Sequence, residues 1–142
     1  MERLYTIGEV ASQLGVTTHM LRYYERAGLL HAVQRTAGNA RRYPSAAIDL
    51  IRLLRKLRET GMPIARMREY VDLIADGPAT IEARQELLRA HRDSLCSQID
   101  ALEHCKALVD AKLDVYHAGC SMEDTGHPAV RKLTQLLQGT KP

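Results

Sequence analysis

The chain contains no Trp and no Phe, and it has only three cysteines. An odd number of cysteines without regular spacing argues against a framework of structural disulfides and favours reduced thiols. No stretch approaches the roughly 20 consecutive apolar residues of a membrane span, and the N-terminus lacks the apolar core of a signal peptide. We therefore expect a small cytoplasmic protein of one or two domains that does not contact a membrane.

The small net charge of +3 conceals an uneven distribution of charged residues. Residues 1–70 contain twelve Lys and Arg against six Asp and Glu, whereas residues 71–142 contain eight against eleven. A basic segment is typical of proteins that bind a phosphate backbone, although many charged runs are only solvated surface. No nucleophile, base and oxyanion donors occur at a catalytic spacing, so we do not expect an enzyme.

Two short helices are predicted close to the N-terminus. Thr6 and Glu9 have the spacing of a capping box, which opens the first helix, and Gly15 supplies the positive φ that ends it. A second helix follows from residue 17 or 18 to residue 27. Two short helices joined by a tight turn with a glycine are typical of a helix-turn-helix, whose second helix enters the major groove of DNA.

On the second helix, Met20, Leu21 and Tyr24 are predicted to pack inward. The side chains that remain outside include residue types that bind phosphate oxygens and base edges. These candidate DNA contacts are Thr17, His19, Arg22 and Tyr23. Spacing alone would equally fit an ordinary amphipathic helix pair with a charged outer face.

A basic β-hairpin is predicted directly after the second helix. Gly38 and Asn39 form a turn signal between short extended runs, and the second run carries Arg41, Arg42 and Tyr43. A basic hairpin beside a recognition helix is a wing. We therefore add these three residues to the candidate DNA contacts.

Three motifs together, IGEVASQLGV, LRYYERAGLL and ARRYPSAAI, resemble the MerR family of bacterial transcriptional regulators. The resemblance covers residues 1–75 and implies a winged helix-turn-helix domain that binds double-stranded promoter DNA. It also implies that the protein acts on RNA polymerase at the same promoter, activating or repressing transcription by distorting the promoter spacer. Such deformation of DNA costs roughly 1 to 6 kcal/mol, which a tight set of dimer contacts can supply.

A long helix is predicted after the winged helix-turn-helix domain. Residues 76–79 form a linker, residues 80–118 a dimerisation helix, and residues 119–142 a loop and a short helix. Apolar residues recur every seven positions along the long helix, while the column three positions after them is mostly polar. We expect a homodimer, and the resemblance implies an antiparallel coiled coil in a mainly α-helical protein. The apolar column is Ile81, Leu88, Leu95, Leu102, Val109 and Tyr116.

Two classes of signal fit the sequence: a compound that reacts with or binds near a thiol, and a metal ion. The resemblance to a compact stress-responsive branch of the family favours an aldehyde, an oxidant or an organic ligand, with Cys96, Cys105 and Cys120 as candidate thiols. Alternatively, His117 and Cys120 could hold a soft metal such as Zn or Cu(I). The loop has one cysteine where the metal-sensing members have two, and no other cofactor is expected.

Two functions other than transcriptional regulation fit parts of the sequence. A coiled-coil adaptor protein would explain the heptads but would leave the basic half without a role. A recombination accessory protein could have a similar winged head, yet it would not need the long dimerisation helix.

Overall fold

The computed structural model describes residues 3–139 of the chain. It is mainly α-helical with a small sheet, as predicted. A short 3-10 turn, Pro78–Thr80, precedes the longest helix. The elements are β1 (Leu4–Tyr5), α1 (Ile7–Leu14), α2 (Thr18–Arg26), β2 (Gln34–Arg35), β3 (Arg41–Pro44), α3 (Ser45–Glu59), α4 (Ile64–Ala75), α5 (Ile81–His117) and α6 (Pro128–Gln138).

The chain forms two compact units, Met1–His91 and Arg92–Pro142, and their boundary falls within α5. In the N-terminal unit, one apolar core joins the first four helices, the sheet and the start of α5. The apolar faces that helical spacing predicts for the helices provide this core. Its fully buried side chains include Val10, Leu21, Leu29, Tyr43, Ile51, Leu54 and Met67.

The predicted hairpin is present, and it belongs to an antiparallel sheet with strand order β1-β3-β2. Arg35 lies opposite Arg41 within the hairpin, and Tyr5 of β1 lies opposite Tyr43. Strand β1 was not predicted from the sequence. Two residues are too few to display the alternation by which a strand is recognised from sequence.

The predicted ends of α1 are confirmed, and two prolines directly precede helices α3 and α4. The Thr6–Glu9 capping box forms in both directions, and Gly15 adopts φ 61° after α1. Pro44, rather than Ser45, is the N-cap residue of α3. Pro63 is the N-cap residue of α4 instead of its first helical residue. Both prolines have extended backbone, which the fixed φ of the ring allows just outside a helix.

The C-terminal unit consists of the remainder of α5 and the short helix α6, which was predicted. Its core joins Ala111 and Val115 of α5 to Val130 and Leu133 of α6. The His127 side chain caps α6 by accepting a hydrogen bond from the Ala129 backbone N–H at 3.2 Å. Residues 1–2 and 140–142 of the predicted segments lie outside the described residues.

The longest helix carries charged residues throughout. No helix within residues 3–139 has the length and apolar character that crossing a membrane requires.

Candidate nucleic-acid interface

The orientation of helix α2 is fixed by its N-cap residue and by its buried inner face. The Thr17 hydroxyl accepts a hydrogen bond from the Met20 backbone N–H at 3.1 Å, which is the usual role of a threonine at an N-cap. Leu21 and Tyr24 are buried in the core of the N-terminal unit. The cap and the two buried side chains together determine which face of α2 remains outside.

The outer face of α2 presents the side chains expected of a recognition helix. His19, Arg22, Tyr23 and Arg26 are all exposed, and their spacing of three, four and seven residues places them on one face. The Tyr23 ring is 44% exposed and lies 6.1 Å from the Tyr24 ring, centroid to centroid. Thr17 is exposed at the N-terminal end of the same helix. This face can offer cationic groups and hydrogen-bond donors to a polyanion.

The tip of the β2–β3 hairpin is stabilised by its own backbone. The Thr36 N–H donates to the Ala40 carbonyl at 2.9 Å, and the Asn39 N–H donates to the Thr36 carbonyl at 2.8 Å. Asn39 has φ 62°, a left-handed conformation that asparagine tolerates better than most residues. The Gly-Asn turn predicted from the sequence is therefore present.

Two of the three predicted wing contacts lie partly at the surface. Arg41 and Arg42 are half-buried and point to opposite faces of β3, because successive residues of a strand alternate. One terminal nitrogen of Arg42 donates to the Arg41 carbonyl at 3.0 Å. The Nε of Arg41 donates to the Glu25 carboxylate, and its terminal nitrogens have no acceptor among residues 3–139.

Tyr43, the third predicted wing contact, is fully buried. Its hydroxyl has no hydrogen-bond partner among residues 3–139, and burial raises the pKa of this phenol. Because side chains alternate along β3, the side chain after Arg42 turns to the opposite face, which packs into the core. We therefore correct the prediction for Tyr43: its side chain packs the core instead of facing a ligand.

Glu25 links the recognition helix to the hairpin, a role that was not predicted from the sequence. One carboxylate oxygen accepts from Arg35 at 2.7 Å, and the other accepts from Arg41. Partial burial acts to raise the pKa of Glu25, but the hydrogen bonds from Arg41 and Arg35 outweigh it and lower that pKa. No local pattern marks this contact, because its partners lie 10 and 16 residues away along the chain.

The candidate thiols and metal ligands differ in their exposure to solvent and in their neighbours. Cys96 and Cys105 are exposed on α5, whereas Cys120 is half-buried and its Sγ lies 3.6 Å from the Ala118 carbonyl oxygen. His117 is exposed, and Cys120 lines a cleft with His127 instead. Within the described part of the chain, no three His, Cys, Asp or Glu side chains are grouped to hold a metal.

Comparisons with known proteins agree with this geometry. Residues 5–73 match the family described as MerR HTH family regulatory protein, and residues 48–111 match the one described as MerR, DNA binding. The chain is 38% identical over 89 residues to the transcriptional regulator AdhR of Bacillus subtilis, covering 63% of this chain and 64% of AdhR. It is 30% identical over 112 residues to an uncharacterized HTH-type transcriptional regulator of Haemophilus influenzae, covering 79% and 83% of the two chains.

The fold of this chain is also similar to that of a solved structure. HiNmlR, a MerR family regulator lacking the sensor domain, was crystallised bound to promoter DNA. It matches this chain with a TM-score of 0.73 and 28% identity, covering 82% of this chain and 92% of HiNmlR. The fold and the cationic helix, together with these relatives, define a DNA-binding transcriptional regulator. Within that class, the chain belongs to the MerR family.

Proposed function

We propose that this protein is a homodimeric regulator that binds promoter DNA in the cytoplasm and changes the activity of RNA polymerase there. The observation that carries the proposal is the exposed cationic face of α2 beside the basic β2–β3 hairpin. The complex of HiNmlR with promoter DNA supports the same partner for this chain. Residues 1–75 would form the DNA-binding domain, residues 76–79 the linker and residues 80–118 the dimerisation helix, followed by the loop and short helix of residues 119–142.

The proposed contacts with DNA come from both elements of the head. Arg22 and Tyr23 would reach into the major groove or bind its phosphates, with His19 and Thr17 toward the start of the helix. Arg42 and the terminal nitrogens of Arg41 would bind the DNA backbone on the wing side. Tyr43 is withdrawn from this set because it is buried.

A second copy of the chain is proposed from the exposed apolar side chains of α5. Leu102, Val109 and Tyr116 of the heptad column are 70%, 54% and 64% exposed, and Ile99 and Leu113 are 53% and 47% exposed. These five residues alternate at steps of three and four around Lys106, the spacing of a coiled-coil interface. The second apolar column of the coiled coil therefore runs through Ile99 and Leu113. Each of these residues lies four positions after a residue of the first column, whereas the mostly polar column lies three positions after it.

The proposed mechanism is distortion of the promoter spacer in response to a stress signal. An aldehyde, an oxidant or an organic ligand would be the signal, with the three cysteines as candidate thiols. A Zn or Cu(I) signal at Cys120 and His117 stays the alternative. Because fewer than three candidate ligands are grouped in the described chain, such a site would need ligands from the second copy.

Substitution of Arg22 tests the DNA contact directly. Duplexes are first selected from a random-sequence library with the wild-type protein, and affinities are then measured by fluorescence anisotropy at several salt concentrations. If Arg22 binds phosphate, Arg22→Ala weakens binding to all sequences and reduces the salt slope by about 1; if it binds a base edge, preference at one base pair is lost. Arg131→Ala, an exposed arginine of α6, is the matched control. Unchanged affinity and salt slope for Arg22→Ala would contradict the proposed contact.

A further inference from the structure

The C-terminal unit contains an open cleft between α5 and α6 that the DNA-binding role does not use. Its volume is about 380 Å³, within the range of small-molecule sites. Leu108 and Val109 line it from α5, Leu133 and Leu137 from α6, and Met122 from the loop that joins these helices. Three segments of the chain therefore contribute apolar walls to one concave surface.

Much of this apolar lining is accessible to water. Leu137 is 50% exposed and Met122 39%, whereas Val109 lies at the edge of the cleft and belongs to the face that we assign to the second copy of the chain. Removing such surface from water is favourable by about 25 cal/mol for each Å² buried. A contiguous exposed apolar surface of this kind commonly marks a binding site. An occupant with an apolar body would fit these walls.

Lys112 is the charged residue in the lining of the cleft, and its ammonium has no carboxylate within 4.0 Å among residues 3–139. It lies 4.9 Å from the centre of the Tyr116 ring, a contact that leaves its hydrogen-bond donors available. Lys106 on the same helix differs, since it pairs with Asp110 at 2.8 Å. The cleft thus combines apolar walls with a cation that lacks an anionic partner.

We propose that this cleft binds a small amphipathic organic anion, with its apolar body against the leucines and its carboxylate against the Lys112 ammonium. Charge complementarity selects an anion over a neutral or cationic molecule of the same shape. Use of the cleft as the site that receives the signal rests on the proposed regulatory function. Binding of the anion does not depend on that function. The experiment measures binding in the absence of DNA, so failure of this proposal can be distinguished from failure of the proposed function.

The first measurement is isothermal titration of the reduced, full-length protein with three probes that share one alkyl chain: octanoate, octanol and octylammonium. We expect one octanoate per chain, bound about twofold to fivefold more tightly than octanol, since an ion pair in an open cleft is screened by water and adds only that much. Lys112→Met keeps most of the side-chain stem and should reduce octanoate affinity to that of octanol. Lys132→Met, at an exposed lysine of α6 that does not line the cleft, is the matched control and should leave the octanoate affinity unchanged.

The second measurement uses Cys105, whose side chain lines the cleft, as an internal reporter. Saturating octanoate should slow alkylation of Cys105 by iodoacetamide several-fold, as followed by peptide mass spectrometry. Cys96 is also exposed on α5 but does not line the cleft, so its alkylation rate should not change.

Three results would overturn the proposal: equal affinity for the three probes, equal loss in both lysine variants, or equal protection of both cysteines. A fourth is absence of octanoate binding together with weaker self-association of Leu137→Gln, because the cleft would then be covered by a second copy of the chain.

Discussion

Glu25 accepts hydrogen bonds from Arg35 and Arg41, which belong to the two strands of the hairpin. It is itself on the recognition helix, so one half-buried carboxylate connects both proposed DNA-binding elements. This contact makes Glu25 a positioning residue: it touches no DNA in our proposal but determines where the wing arginines lie. Removing this carboxylate would therefore have two opposite effects on DNA binding: it would loosen the wing, and it would remove a negative charge near the phosphates. An experiment can separate the two effects.

We predict that Glu25→Gln weakens specific DNA binding by about threefold to tenfold, because two charge-assisted hydrogen bonds that orient the wing are lost. Electrostatics alone predicts the opposite, since the substitution removes a negative charge near the phosphates. Anisotropy with selected and random duplexes measures both affinities. Glu69→Gln, which removes an exposed carboxylate paired with Arg66 at 2.8 Å, is the control. Tighter binding to the selected duplex would refute the positioning role.

The lowered pKa of Glu25 also predicts a dependence of stability on pH. A carboxyl group whose pKa is lower in the folded than in the unfolded state stabilises the fold above its unfolded pKa, about 4.3, and loses this contribution as the pH falls through the folded pKa. Wild type should therefore be more stable than Glu25→Gln near neutral pH, and the difference should shrink below about pH 4. Urea unfolding at a series of pH values measures it; a constant difference would contradict the assignment.

Substitution of Tyr43 tests whether its side chain packs the core instead of contacting DNA. Its buried hydroxyl has no partner among residues 3–139, and an unsatisfied buried polar group costs about 1 to 3 kcal/mol. Tyr43→Phe should thus raise the free energy of unfolding by about 1 kcal/mol and leave DNA affinity unchanged. Urea unfolding and anisotropy give the two values. Loss of DNA affinity without loss of stability would restore Tyr43 to the contact set.

At the scale of elements, α5 has two different apolar faces within the C-terminal unit. Ala111 and Val115 pack against α6, whereas Leu102 and Val109 stay largely exposed. Local spacing reveals that both faces exist, but only packing reveals which one a neighbour in the chain covers. The uncovered face is the one we assign to the second copy.

We predict that Leu102→Arg converts the dimer to monomers and abolishes specific DNA binding, since a charge would be buried without a partner at the interface. Sedimentation velocity measures the association state, and anisotropy measures the affinity. Ala101→Arg places the same side chain at a neighbouring exposed position outside the apolar face, and it should remain a dimer. A dimeric Leu102→Arg protein would remove α5 as the interface.

For the whole molecule, charge and exposed apolar surface are separated along the chain. The basic residues concentrate in the first half, where the exposed face of α2 and the hairpin lie. Apart from Ile81, the exposed large apolar residues of α5 lie in the second unit, as does the cleft beside α6. This separation is consistent with a protein whose first unit binds a polyanion while its second associates with another chain and receives a ligand. A dimer would bring two cationic heads to one DNA site.

The sequence by itself determined the helices, the capping box, the hairpin turn, the family and the outward face of α2, because each depends on residues within a few positions of one another. Tertiary structure decided the remainder. It placed Tyr43 in the core, brought Glu25 to Arg35 and Arg41, added β1 to the sheet and formed the cleft lined by Lys112. Each of these depends on contacts between segments far apart in the chain, which local periodicity does not encode.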